Sequence, residues 1–290
     1  MQTQTQIRQL LAEAGLAPHK ALGQNFLVDL NLLGKLLDLA EIGAGQTVLE
    51  VGPGTGSLTE ELLARAGRVV AVEIDRGLHR LLAGRLAGRE NLTLLHGDAL
   101  AGKHALSPEV LAALGGPASL VSNLPYSIAT PLVIDCLIAS WRAIGRLCRF
   151  ERLTFTVQRE VADRMTAAPG EEPYGPFRVW VALLGRVRAG PRVPAEAFWP
   201  RPAVTSRMLR IDFDAAAAAR LADADTLSAV LAAAFGQRRK QIGSLLRRRD
   251  CPFPPDRLAG ALAAAGIETT VRPQGVAPEQ FLALANALAG

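Results

Sequence analysis

Five short apolar runs, at residues 47–51, 69–74, 92–96, 118–122 and 153–157, are separated by stretches with helical spacing, and this alternation limits the fold more than any other feature. Strands that recur once per helix build a parallel sheet with helices on both faces. Two amphipathic helices are expected ahead of that sheet. The first is carried by Ile7, Leu10, Leu11 and Ala14, and the second spans Leu30–Ala40. Further strands are expected at 179–188 and 208–211, so that the sheet finishes with antiparallel members. From Asp212 the composition turns alanine-rich, with a junction at 214–220 and helices near 226–235, 238–248, 255–265 and 278–288. The 290 residues therefore divide into an α/β, Rossmann-like domain at 1–212 and a smaller all-α domain at 213–290.

Hydrophobic residues make up 49% and charged residues 20%, and no apolar stretch is long enough to span a bilayer without a charge, Gly or Pro. The first fourteen residues have neither a signal core nor an Arg-rich transit pattern, so a cytoplasmic protein with no membrane segment is expected. Cys136, Cys148 and Cys251 are odd in number and widely spaced, which argues against a disulfide framework and a Cys-x-x-Cys zinc site. His19, His79, His96 and His104 lack metal-ligand spacing, so no metal is expected. Ser127 has no evident triad partner. A net charge of +5 suits a polyanionic partner, and a monomer is the default expectation.

The segment from Val48 to Thr59 is an apolar strand running into Gly52-Pro53-Gly54-Thr55-Gly56 and then a helix. Glycines there allow backbone to approach a ligand closely. The spacing is not that of a dinucleotide fold, and no lysine follows to make a phosphate-binding loop. Glu73, near the end of the next strand, can accept both hydroxyls of a ribose, as it could in a nicotinamide site. Asp98, after the third strand, can hold the adenine amino group of S-adenosylmethionine. Either carboxylate could instead serve a helix N-terminus. Together with the loop they put three consecutive strand ends along one cleft.

Asn123-Leu124-Pro125-Tyr126 follows the fourth apolar run, and it points to methylation of an amino group. The N6 amine of adenine shares its lone pair with the ring and is a poor nucleophile. An asparagine oxygen and the proline carbonyl can each accept one N6 hydrogen, which favours the pyramidal nitrogen needed for in-line attack on a methyl group. Tyr126 offers a flat face on which the base stacks. Orientation and electrostatics then supply the catalysis, with no strong base before attack. Asn and Pro also end strands in ordinary turns, so the weight lies in the ordered series of motifs.

With Gly23-Gln24-Asn25-Phe26-Leu27 ahead of that series, the chain resembles the ribosomal RNA adenine N6,N6-dimethyltransferases, the bacterial small-subunit enzymes above all. The resemblance continues through residues 158–164, Pro169-Gly170 with Tyr174-Gly175, Phe198-Trp199-Pro200-Arg201-Pro202-Ala203-Val204 and Phe235-Gly236-Gln237-Arg238-Arg239-Lys240. It implies S-adenosylmethionine as cofactor, with Asn25 and Leu27 closing over its methionine part, Gly52 lining the loop, Glu73 on the ribose, Asp98 on the adenine and Asn123 serving cofactor and target. Pro125, Tyr126 and Phe198 would act on the target base, Phe198 clamping it against Tyr126. The implied substrate is a pair of adjacent adenosines in a hairpin near the 3′ end of 16S rRNA, in an immature small subunit. The chain departs from the family's usual residues at Ala21-Leu22, at Thr205 and at Pro176-Phe177, after Tyr174-Gly175.

Arg238-Arg239-Lys240 and Arg247-Arg248-Arg249 flank Ile242, Leu245 and Leu246, whose spacing suggests a helix with a basic outer face for RNA. A large-subunit 23S rRNA methyltransferase of the macrolide-resistance type shares the cofactor motifs and is the enzymatic alternative. A binding protein that occupies immature subunits during assembly is the alternative of another class. A nicotinamide oxidoreductase fits the glycine spacing poorly.

Overall fold

The structure is a computed structural model that describes residues 1–19, 22–102, 105–144, 150–247 and 250–290. Lys20, Ala21, Lys103, His104, Cys148, Arg248 and Arg249 lie outside the described residues. The chain forms two compact units, Met1–Ala162 with Arg188–Phe213 and Asp163–Val187 with Asp214–Gly290.

The first unit opens with α1 (Gln4–Glu13), β1 (Phe26–Leu27) and α2 (Leu30–Ala40). It then alternates β2 (Thr47–Val51), α3 (Ser57–Arg65), β3 (Arg68–Glu73), α4 (Arg76–Arg85), β4 (Leu92–His96), α5 (Pro108–Leu114), β5 (Ala118–Asn123), α6 (Ala129–Arg142) and β6 (Phe150–Gln158). The chain leaves through α7 (Arg159–Thr166), forms α8 (Pro176–Leu184) in the second unit, and returns along β7 (Gly185–Val193) to β8 (Phe198–Trp199) and β9 (Ser206–Phe213). The main sheet has the order β4-β3-β2-β5-β6-β9-β7. Its first five strands run parallel and β9 runs antiparallel to β6, as the alternation in the sequence leads one to expect. Val48, Leu49, Val69, Val70 and Ala71 are fully buried, which requires cover on both faces of the sheet.

The chain winds outward from β2 through β3 to β4, then returns to the other side of β2 with β5. That reversal opens a crevice at the carboxyl ends of β2 and β5. Regular pairing between these two strands covers only Val48–Ser119 and Leu49–Leu120. Beyond it the ends are tied by a Ser122 hydroxyl donating to the Val51 carbonyl at 2.5 Å.

α2 starts at Asp29, whose side chain accepts from Leu32 N at 3.0 Å, and it buries Leu32, Leu33, Leu36, Leu37 and Ala40 along one face. Its last carbonyls are taken by guanidiniums. Arg152 donates to Ala40 O at 2.8 Å and Arg210 to Leu39 O at 3.2 Å. Arg210, only 5% exposed, also pairs with Glu41 at 2.7 Å and Asp212 at 2.9 Å. Arg210→Ala takes a nearly buried partner from the helix end and from two carboxylates that Arg152 then holds alone or with Arg188, and is expected to lower unfolding free energy by about 1–2 kcal/mol in urea titrations. A loss below about 0.5 kcal/mol would show that the network is a solvated surface feature.

The second unit is helical, with α8 joined by α9 (Ala215–Ala218), α10 (Ala224–Phe235), α11 (Pro255–Ala264) and α12 (Pro278–Ala289). Its core holds an aromatic series, Tyr174 to Phe235 at 6.2 Å and Phe235 to Phe281 at 5.6 Å, and Tyr174 donates its hydroxyl proton to Val276 O at 2.7 Å. Residues 163–187, expected within the 1–212 domain, group instead with this unit because α8 packs on α10 and α12.

Two expectations need correction. The strand expected at 179–188 begins only at Gly185, because Pro176 opens a helix that runs to Leu184 and buries Phe177, Trp180, Val181 and Leu184. The helix expected at 238–248 is a turn followed by a short 3₁₀ stretch at Ile242–Arg247. There Ile242 N donates to Val271 O and Gly243 N to Thr269 O, so the backbone is held by a neighbouring segment. Ile242 and Leu245 are nonetheless buried, as their spacing suggested. Among the described residues no helix is long and apolar enough to cross a membrane.

Candidate active site

A cleft in the first unit lies at the carboxyl ends of β2, β3, β4 and β5, lined by the glycine loop, Glu73, Asp98 and the Asn123–Ile128 turn, with residues 22–27 across from them. The glycine loop has a tight geometry. Gly52 and Gly54 have φ of 71° and 61°, a region that side chains rarely adopt. A Cβ on Gly52 would sit 3.1 Å from the Pro125 ring, and one on Gly54 would sit 2.8 Å from the Phe26 ring. The loop thus touches both the Asn-Leu-Pro-Tyr turn and the Gly-Gln-Asn-Phe-Leu segment, with no room for a side chain between.

Glu73 is 3% exposed at the end of β3. Its Oε2 accepts from Gly54 N at 3.1 Å and its Oε1 from Asp75 N at 2.9 Å. Burial pushes its carboxyl above the usual range, and these backbone donors oppose that. Each oxygen keeps a lone pair for a ligand hydroxyl. Gly97 N donates to Glu73 O at 3.0 Å, which ties the end of β4 to β3 and brings exposed Asp98 to the rim. Asp98 Oδ1 accepts from Leu100 N at 2.9 Å.

Asn123 ends β5. Its Nδ2 donates to the Asn25 carbonyl at 2.9 Å, and its Oδ1 is buried with no hydrogen-bond partner among the described residues. Because the amide nitrogen must face the Asn25 carbonyl, the orientation of the side chain is settled and the oxygen is the free end. A buried acceptor without a donor is costly in a finished fold and is expected where a ligand supplies the donor. The Pro125 carbonyl accepts one bond, from Ile128 N at 3.2 Å, and keeps a second lone pair. Burial raises the Tyr126 phenol above its ordinary value, so this side chain is neutral across the working range.

Asn25, Leu27, Gly52, Glu73, Asp98, Asn123, Pro125 and Tyr126 all line this cleft. Phe198 does not. It is 3% exposed in the core with Leu27 and Leu33, and it pairs with Leu27 across β1 and β8. The neighbouring Trp199 stacks on Phe26 at 6.3 Å, with the Arg8 guanidinium 5.0 Å from the indole centre. A further residue that the sequence did not single out is Glu50, which lines the cleft, is 1% exposed and has an Oε2 with no hydrogen-bond partner among the described residues. Burial, with the charge of Glu73 adding, pushes its carboxyl up to about 8. The available signal was a lone acid inside the apolar run Val48-Leu49-Glu50-Val51. Among the described residues no group of three His, Cys, Asp or Glu side chains could hold a metal ion.

A family model for ribosomal RNA adenine dimethylase matches residues 15–290. Ribosomal RNA small subunit methyltransferase A of Phenylobacterium zucineum is 42% identical over 291 residues, covering 99% of this chain and 94% of that protein. The protein of the same name from Moorella thermoacetica is 40% identical over 285 residues, covering 96% and 95%. Among solved structures, a dimethyladenosine transferase from Plasmodium falciparum superposes with a TM-score of 0.69 at 23% identity over 88% of this chain and 94% of that one, a likeness of fold. The 23S rRNA methyltransferase ErmE superposes with a TM-score of 0.63 at 29% identity over 92% of this chain and 100% of that one.

Proposed function

The chain belongs to the ribosomal RNA adenine dimethylase family, S-adenosylmethionine-dependent enzymes, and on that premise we propose that it dimethylates N6 of two adjacent adenosines in a hairpin near the 3′ end of 16S rRNA. The observation that carries this reading to the site is the buried, unpartnered Asn123 oxygen beside the Pro125 carbonyl. The small-subunit target is preferred to a large-subunit one because relatives at 40–42% identity bear the small-subunit name, against 29% for ErmE.

The residues present fit the cofactor. Glu73 has lone pairs for two ribose hydroxyls, Asp98 stands at the rim for the adenine amine, and Gly52 presents loop backbone to the same cleft. Asn25 and Leu27 close the opposite wall. When bound, S-adenosylmethionine supplies a methyl group on a positively charged sulfur. Asn123 Oδ1 and the Pro125 carbonyl accept the two N6 hydrogens and hold the nitrogen lone pair out of conjugation with the ring. Tyr126 is the stacking face for the base. Phe198 acts from beneath, packing under Leu27 so that the β1 wall keeps its place.

The second unit is the RNA- and ribosome-binding part, with exposed Arg238, Arg239 and Lys240 offering phosphate contacts. The enzyme works as a cytoplasmic monomer on an immature small subunit. The test is incubation with labelled S-adenosylmethionine and small subunits from a strain lacking the modification, followed by mass spectrometry of the 3′-terminal rRNA fragment. Two adjacent dimethyladenosines are expected. Label in large-subunit rRNA alone would overturn the target, and no label in either would favour a binding role in subunit assembly.

A further inference from the structure

Tyr126 is reached from two directions, and only one is the turn that carries it. Its hydroxyl lies 2.9 Å from Ser206 Oγ, eighty residues away in sequence, where either oxygen can donate. Ser206 is 1% exposed and opens β9 opposite Gln158 of β6. Its position is set from behind as well, since Arg159 N donates to Thr205 O at 3.0 Å. The Ser206 hydroxyl is therefore a fixed point of the sheet, whereas the Tyr126 ring hangs from a turn.

We propose that Ser206 is a positioning residue that fixes the Tyr126 ring as the platform for the target adenine. A phenyl ring on a turn can rotate about χ1 and χ2, and a stacking face is useful only if its plane is set before the base arrives. A single hydrogen bond at the far end of the ring removes that freedom. The phenol's raised pKa keeps its proton available for this bond and argues against use of the hydroxyl as an acid or base. The stretch leading to Ser206 has a second task. Ala197 O accepts from Val28 N at 2.8 Å, and Phe198 pairs with Leu27. One short segment, 197–206, thus holds the cofactor-side wall at one end and the base-side platform at the other.

This inference rests on Tyr126 being the base platform, and the experiment separates the two. Wild type, Ser206→Ala, Tyr126→Phe and the double variant are compared by single-turnover methylation of unmodified small subunits, with S-adenosylmethionine affinity by calorimetry and melting temperature alongside. Each single variant is expected to lose about tenfold in rate with cofactor affinity unchanged, and the double variant no more than either. Ser206→Thr, which keeps a hydroxyl, should recover most of the rate. An undiminished rate in Ser206→Ala, or losses that multiply in the double variant, would overturn the proposal. Should Ser206→Ala melt below the assay temperature, Tyr126→Phe removes the same bond and keeps the ring, and wild-type turnover there overturns it equally. An inactive wild type would instead sink the function on which it rests.

Discussion

Asn123→Ala is expected to lower the rate of methyl transfer by about 10²–10³-fold, the loss typical of removing one preorganised hydrogen-bonding group from a reaction centre. The fold barely registers the change. Asn123 Oδ1 has no hydrogen-bond partner among the described residues, so its removal relieves an orphaned acceptor, while the lost Nδ2 bond to Asn25 O is worth about 1 kcal/mol. The expected pattern is a large fall in kcat, a modest rise in cofactor Kd through the loosened Asn25 wall, and a melting temperature within a few degrees of wild type. Retention of wild-type single-turnover rates would remove Asn123 from the mechanism altogether.

Glu50→Gln is expected to stabilise the protein, and to do so only at neutral and higher pH. The Glu50 carboxyl is raised from 4.5 to about 8 in the fold by burial, so the folded chain keeps a proton that the unfolded chain releases. The stability linked to that proton is fully present below the unfolded value, falls as pH climbs, and is gone once pH passes about 8. Forced ionisation then costs at most on the order of 5 kcal/mol. A glutamine of the same shape escapes that cost. Denaturant midpoints of the two proteins, without cofactor, should lie close at pH 5 and diverge in favour of the variant by pH 9. A gap that does not change with pH would mean that Glu50 is ionised throughout.

Much of the first unit could be read from the chain because its strands are continuous apolar runs closed by glycine, a carboxylate or an amide. β2, β4 and α2 fall on the expected residues, and β3 and β5 within one residue of them. The second unit was less legible for a physical reason. Val179-Trp180-Val181 carries the β-branched and aromatic side chains of a strand, but Gly175-Pro176 starts a helix and packing on α10 and α12 keeps it. The 242–246 spacing reported burial correctly while the backbone followed hydrogen bonds to 269–271. At the site, motifs gave away the residues that end strands. Glu50 and Ser206 stayed hidden because their meaning depends on what lies across the fold, an unpartnered oxygen in one case and a phenol eighty residues off in the other. Phe198 belongs to a recognisable motif, and only its neighbours reveal that it faces the core.

The chain passes from the first unit to the second after Ala162, comes back at Arg188, and crosses again after Phe213. Neither half is a contiguous stretch. A truncation at 213 that aimed to isolate the cofactor half would keep α8 and discard α10 and α12, leaving Phe177, Trp180, Val181 and Leu184 facing water and prone to aggregate. A chimera that swapped recognition halves between two relatives would need three splice junctions to leave each core with one parent. A single genetic crossover at the apparent boundary would instead seat the α8 of one lineage among the helices of another, so the two halves are bound to be inherited, and to diverge, together.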